Sequence, residues 1–256
     1  MTAAMPVIEL RNYLLADNAR SDFIRYFEEH FLVSQRDVGM QPLGQFAVVD
    51  APNRFAWIRG FDDMWTRRRG LESFYGGAFW QAHRAEANAM MREHHDVHLL
   101  RPLGPTDALT GGLSLEDRMS EPPGVVPPHT GLVVVDFYRT EPAALRRLVE
   151  AFEQRWRETL VARGHHILGH FVAELTPNDY PRLPVVQDPG LLAVLSVYRD
   201  REHRAGLGDA AAGIPGDVRT LLSAEVTSLS LRPTARSLIR YRGPAARVPV
   251  SSEASR

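Results

Sequence analysis

The sequence predicts an α+β protein built as two tandem ferredoxin-like βαββαβ units packed sheet to sheet inside one chain. Three observations lead there: an internal repeat, the same order of elements in each copy, and strands whose helix-free faces are too apolar to stay uncovered. The repeat is explicit. "PLGQFAVV" (Pro42–Val49) aligns with "ILGHFVAE" (Ile167–Glu174), pairing Gly44 with Gly169 and Phe46 with Phe171. "FAWIRGFDD" (Phe55–Asp63) aligns with "LAVLSVYRD" (Leu192–Asp200). The offset is 125 in the first match and 137 in the second, so twelve extra residues lie between the matched strands of the second copy. They fall in "TPNDYPRLPVVQDPG", a loop by its proline and Asn/Asp content.

In the first copy "VIELRNYLL" alternates as a strand. Asn18 is a candidate N-cap for a helix in which Phe23, Phe27 and Phe31 recur every four residues. Two strands follow, "LGQFAVVD" and "NRFAWIRGF", joined by a short turn at Ala51–Pro52. A helix then starts at Asp62 or Asp63, with Arg67–Arg69 on its solvated face. Gly76–Gly77 breaks it, a second helix runs to about Glu93, and "DVHLLRPL" closes the unit.

In the second copy "GLVVVDFY" is a strand and Thr140 caps a helix that turns Leu145, Leu148, Val149, Phe152, Trp156 and Leu160 inward. Two strands, a helix from about Asp200 and the strand "AEVTSLSLRP" complete it. The organisation is a first unit over 1–103, a Gly/Pro-rich linker over 104–130, a divergent second unit over 131–233 and an Arg-rich tail over 234–256. The tail lacks periodicity, which fits either wrapping a neighbour or disorder.

A ferredoxin-like unit carries both helices on one face of its sheet, and an apolar opposite face must be covered. Small Ala56, Ile58 and Gly60 suit packing beneath helices. That would leave Phe55, Trp57 and Arg59 on the helix-free face, lining a space between the two sheets.

Composition narrows the chemistry. Apolar residues make up 44% and charged residues 24% of 256, as in an ordinary globular protein. A net charge of -1 provides no field to hold nucleic acid or an anionic membrane. No apolar run is long enough for a membrane span, and "MTAAMPVIEL" lacks the pattern of a signal peptide, so a cytoplasmic location is the expectation. Cysteine is absent, and all 30 basic residues are arginine, which excludes thiol, Schiff-base and lysine-base chemistry.

The run "ELRNY", the segment "NRFAWIRGFDDMWTRRRGLESFYGG" and the helix "FWQAHRAEANAMM" with "VHLLRP" resemble bacterial members of the NIPSNAP family. The likeness covers residues 7 to 103 closely and reaches about 131 to 233 only through the repeat. It implies an intrachain dimeric α+β barrel. It implies no single activity, because that superfamily includes cofactor-independent quinone-forming monooxygenases, cyclases, haem proteins and non-enzymes.

Trp80, His83, Arg84, Ala87, Asn88 and Met91 share one broad helix face, which is either ordinary mixed packing or the wall of a pocket. Arg59, flanked by Phe55 and Trp57, would be buried and needs a carboxylate; Glu9 on the neighbouring strand is its natural mate, with Glu9–Arg11 the other pairing. Val194 and Ser196 replace Trp57 and Arg59 in the second copy, which points to a pocket in the first half. His94, His95 and His98 straddle a helix end and a strand, an arrangement that fits a solvated helix terminus better than a metal centre. No metal and no cofactor is expected, although His170 or His83 as a haem ligand is a further alternative within the superfamily.

The leading expectation is a protein that takes a flat apolar or aromatic small molecule into the barrel lumen. Phe55, Trp57, Tyr75 and Trp80 would form walls, with Asn88, Glu9, Arg11 and Tyr13 as further contacts. If it is an enzyme, His83 would remove a proton from a phenol or enol and Arg59 would steady the anion, ahead of oxygenation or cyclisation. The contrasting expectation is a non-catalytic interaction protein whose barrel is filled solid. Homo-oligomerisation stays open.

Overall fold

The computed structural model describes residues 6–208 and 213–243. The first half runs β1 (Val7–Leu15), α1 (Arg20–Arg36), β2 (Gln41–Val48), β3 (Arg54–Phe61), α2 (Met64–Gly76), α3 (Ala78–Ala89), β4 (Met91–Glu93) and β5 (Val97–Pro102). A connection containing α4 (Asp107–Thr110) leads to the second half. There follow β6 (Leu132–Arg139), α5 (Leu145–Ala151), a π-helical turn (Phe152–Trp156), α6 (Arg157–Ala162), β7 (His166–Ala173), β8 (Leu191–Tyr198), α7 (Arg201–Gly206), α8 (Gly216–Arg219) and β9 (Thr227–Pro233).

Each half has the ferredoxin-like strand order, β5-β1-β3-β2 and β9-β6-β8-β7. Two seams join them. Phe46 pairs with Pro233 and Val48 with Leu231 along β2–β9, while Leu100 pairs with Ala173 and Pro102 with Phe171 along β5–β7. With β1 also paired to β3, eight antiparallel strands close on themselves, leaving only short β4 attached at the end of β1. Closure removes free edges that would otherwise invite association.

The duplication is visible in backbone detail. The β2–β3 register shifts between Pro42 and Gly44, and the β7–β8 register shifts between Ile167 and Gly169, so one bulge occurs in both copies. At each bulge the glycine lies beneath a phenylalanine ring two residues on. A Cβ at Gly44 would come within 2.3 Å of Phe46, and one at Gly169 within 3.0 Å of Phe171. Asp63 and Asp200 open α2 and α7 alike, each accepting from the backbone N–H three residues on.

The strand faces are the reverse of the sequence expectation. Ile8, Leu10, Ala56 and Ile58 point into the barrel, where they meet Val133, Val135, Ala193 and Leu195 of the second half. Phe55, Trp57 and Phe61 point outward beneath α1 and α2, packed with Phe23, Phe27, Phe31 and Leu71. The reason is spatial. An eight-stranded barrel is just wide enough to be filled by medium-sized side chains from both halves. Phe46, Phe137 and Phe171 are the large residues that join the lumen cluster, and Phe55, Trp57 and Phe61 pack beneath the helices instead. The lumen is packed, with a residual void of about 10 Å³ between Ile8, Leu10, Val135 and Leu195.

Smaller expectations also change. Asn18 adopts a left-handed conformation (φ 61°) in the turn, and α1 starts after Ala19 without a side-chain cap. Thr140 instead donates to Leu221 O, and α5 begins at Leu145. The 104–130 connection and residues 234–243 are packed segments. Leu109 and Ile239 join the barrel core, and Arg236 donates to the carbonyls of Glu28 and Glu121. The remainder of the Arg-rich tail lies outside the described residues.

Candidate functional site

β1 and β3 place Glu9 directly opposite Arg59, on the face beneath the helices. Glu9 Oε2 accepts from Arg11 Nη1 at 2.7 Å and from Arg59 Nε at 2.8 Å; Oε1 accepts from Arg67 Nε at 2.7 Å. All four side chains are sealed from solvent. Burial by itself raises the Glu9 pKa. The facing charges of Arg59, Arg11 and Arg67 override it and hold the carboxyl well below the usual range. Arg59 Nη1 also donates to Gln35 Oε1 at 3.1 Å, and Arg67 Nη1 reaches Asn178 and Asp179 at 3.1 and 3.0 Å. Three guanidiniums thus face two carboxylates, Glu9 and Asp179, which leaves one positive charge in excess.

Sequence reading assigned Arg67 to a solvated face, and the structure buries it completely. The signal was present: Leu71 and Phe74, four and seven residues on, are also buried, so Arg67 lies on the inward stripe of α2.

Beside this cluster, between α1, α2, α3 and the outer face of the first-half sheet, is a cavity of about 550 Å³. That is within the range of small-molecule sites. Its buried end is built by Arg11, Tyr13, Trp57 and Phe27. Arg11 Nε donates to Tyr13 Oη at 2.7 Å, while its other terminal nitrogen, Nη2, has no hydrogen-bond partner among the described residues. Trp57, 2% exposed, likewise has its indole N–H unpartnered. Phe31, Phe74, Tyr75 and Trp80 supply aromatic walls, and Gln81, Arg84, Asn88 and Arg92 border the exposed end. No Asp or Glu lines the cavity. His94 does, and burial, with the neighbouring His95 and Arg11 charges, lowers its pKa.

The loop inserted in the second copy covers this first-half cavity. Tyr180, Arg182 and Leu183 line it, and the Tyr180 ring stacks on Tyr75 with centroids 6.2 Å apart and planes 25° from parallel. Asp179 anchors the loop to Arg67, and Val186 N donates to Val97 O at 2.6 Å. The equivalent helix–sheet space of the second half is filled by Tyr138, Phe152 and Trp156.

Of the residues expected at the site, Arg11, Tyr13, Trp57, Tyr75, Trp80 and Asn88 line the cavity. Glu9 and Arg59 lie behind its wall in the ion cluster, and Phe55 is core, 5.2 Å from both Phe23 and Phe27. His83 packs between α3 and α1 and does not line the cavity. Its Nδ1 is 2.7 Å from Tyr26 Oη, and its ring stacks between Phe79 and His30, each 4.4 Å away. Gln35, His94, Tyr180 and Arg182 were not anticipated. They come from positions distant in sequence, and only the helix spacing of Gln35 after Phe31 offered a local cue.

Neither of the two histidines named as candidate haem ligands lines the large cavity. His83 packs against α1, and His170 Nε2 is engaged by Glu153 at 2.9 Å beside a space of about 220 Å³, below the roughly 300 Å³ at which small-molecule pockets begin. His98 stacks on Phe137, and no group of three or more metal-ligating side chains occurs among the described residues. Among the described residues no helix is long and apolar enough to cross a membrane.

The chain matches no family model, and no curated protein matches it by sequence. Solved structures do match in shape. A proposed monooxygenase from Lactobacillus acidophilus NCFM is similar over 93% of this chain and 100% of its own, at 12% identity and TM-score 0.57. An anthrone oxidase-like protein is similar over 89% of this chain and 91% of its own, at 12% identity and TM-score 0.53. A NIPSNAP-like domain protein from Burkholderia xenovorans is 24% identical over 38% of this chain and 85% of its own, with TM-score 0.36. The full-length likenesses speak for the fold alone: two ferredoxin-like halves close, within one polypeptide, an eight-stranded antiparallel α+β barrel of the kind the sequence resemblance implied.

Proposed function

We propose that this protein binds a flat aromatic or enolic small molecule in the cavity between its first-half sheet and helices. On this reading it is a cofactor-independent enzyme of the monooxygenase or cyclase kind. The observation that carries the reading is the lining: aromatic walls, a buried guanidinium with an uncommitted Nη2, and no carboxylate. Such a site favours an apolar ring system bearing one acidic oxygen that ionises against Arg11.

The anion-holding role moves from Arg59 to Arg11, because Arg59 is spent on Glu9 and Gln35 behind the wall. The base role moves from His83 to His94, which lines the cavity and stays neutral at pH 7 because its pKa is lowered. His94 takes the proton of the phenol or enol, and Arg11 with Tyr13 steadies the oxyanion. The anion can then close on an electrophile within the same molecule. With dioxygen as co-reactant, a ring methylene supplies all four electrons; one oxygen atom becomes the new carbonyl and the other leaves as water.

The filled lumen fits the interaction-protein alternative only at the barrel itself, since a cavity of useful size lies just outside its wall. Native mass spectrometry of freshly purified protein for a retained ligand, repeated on Arg11→Gln, tests the reading. Loss of the ligand from the variant supports it. Equal retention by both proteins rejects the assigned site.

A further inference from the structure

The exposed end of the cavity has a chemistry of its own. On α3, Gln81, Arg84 and Asn88 succeed one another at helical spacing and border the opening. Across the covering loop, Arg182 borders the same opening from the second half of the chain. A third arginine there, Arg92, is committed to Asp17 at 2.9 Å. Arg84 and Arg182 have neither an ion pair nor a hydrogen bond among the described residues, and no carboxylate lines the cavity to neutralise them. Two uncommitted guanidiniums on separate elements thus border the exposed end of one aromatic-walled cavity, apart from Arg11 at its buried end.

We propose that Arg84 and Arg182 are the specificity-determining residues of a carboxylate subsite, so that the ligand is a flat aromatic acid with its acidic hydroxyl and its carboxylate at opposite ends. This rests on the binding reading above and adds the second pole of the ligand. It also gives the inserted loop a purpose. The second half has filled its own helix–sheet space with Phe152 and Trp156, and its twelve extra residues reach across to complete the other half's site. Arg182 is held there by a segment tied down on both sides, through Asp179 to Arg67 and through Val186 to β5. Tyr180, stacked near-parallel on Tyr75, fixes the width of the slot just inside that end.

The test uses a hydroxynaphthoic acid whose hydroxyl and carboxylate sit at opposite ends of the ring pair, alongside its methyl ester. Binding to the full chain is followed by quenching of tryptophan fluorescence and by calorimetry. The acid should bind about tenfold more tightly than the ester, an advantage that shrinks as salt is raised. In the Arg84→Gln, Arg182→Gln double variant the acid should fall to the affinity of the ester, while the ester is unaffected. Arg68→Gln, an exposed change at an arginine paired with Glu72, should alter neither. Equal affinity for acid and ester in the unaltered protein overturns the carboxylate subsite and leaves the aromatic cavity standing. Failure of both probes to bind removes the binding reading and the subsite with it.

Discussion

Glu9 and Arg59 face one another across neighbouring strands, joined at 2.8 Å, with neither side chain reachable by water. The same carboxylate holds Arg11 and Arg67, so a single acid organises three buried cations. Glu9→Gln removes the charge while keeping the shape. Breaking a buried pair costs about 3–5 kcal/mol, and that loss should be seen as a lower midpoint in urea unfolding with an unchanged slope. A midpoint shift equal to that of an exposed control such as Glu72→Gln would show that the cluster contributes nothing.

Acid stability follows from the same group. Burial opposes ionisation of Glu9, but Arg59, Arg11 and Arg67 hold its folded pKa far below the unfolded value. Between those two values the unfolded chain binds more protons, so stability rises with pH there. The contribution is complete above the unfolded glutamate pKa of roughly 4.3 and is lost as pH falls below it. Unfolding free energies of the unaltered protein and Glu9→Gln should therefore converge on acidification from pH 5 to pH 3.

Arg11→Gln separates binding from folding. Glu9 keeps Arg59 and Arg67, while the cavity loses the guanidinium nearest its buried end. A hydrogen bond to a charged group contributes about 1.5–3 kcal/mol, so affinity for an acidic phenol should drop roughly tenfold to a hundredfold. A neutral aromatic of the same shape should bind almost as before. Calorimetry with both ligands decides it.

His94 sets the expected pH profile. Its pKa is lowered by burial and by the nearby His95 and Arg11 charges, so the base form persists below the ordinary histidine value of about 6.5. If the chemistry is proton abstraction, kcat/KM should hold steady from pH 8 to pH 6.5 and fall only below that. His94→Gln should abolish this acid limb; a limb that survives the substitution belongs to another group. Stability has the same sign: protonating His94 at low pH works against the folded state.

The paired bulges offer a purely structural check. A methyl group at Gly44 would collide with Phe46, whereas at Gly169 it would only press against Phe171. Gly44→Ala should cost about 1–3 kcal/mol in urea unfolding and Gly169→Ala distinctly less. Reversal of that order would mean that the two bulges are not packed alike.

Much of the fold was legible because it rests on local pattern. The Gly44/Gly169 and Phe46/Phe171 matches exposed the repeat, and the four-residue spacing of Phe23, Phe27 and Phe31 marked α1. The Glu9–Arg59 pairing followed from strand adjacency and the cost of a buried guanidinium. The lumen assignment failed because alternation distinguishes two faces of a strand without saying which is inside. Ala56 and Ile58 suited either location, and only closure of the barrel decided between them. His83 lies outside the lining because a helix face broad enough to hold Trp80 and Asn88 also reaches around to α1, where Tyr26 and His30 take its ring. Tyr180 and Arg182 arrive from the other half of the chain, a placement that no local periodicity records.

The seams β2–β9 and β5–β7 are made by a single polypeptide. In a barrel assembled from two identical subunits every substitution is made twice, and a change that improves one pocket alters its twin. Joining the halves frees each from that symmetry. Here Trp156 fills the helix–sheet space of one half, while the loop before β8 covers the cavity of the other.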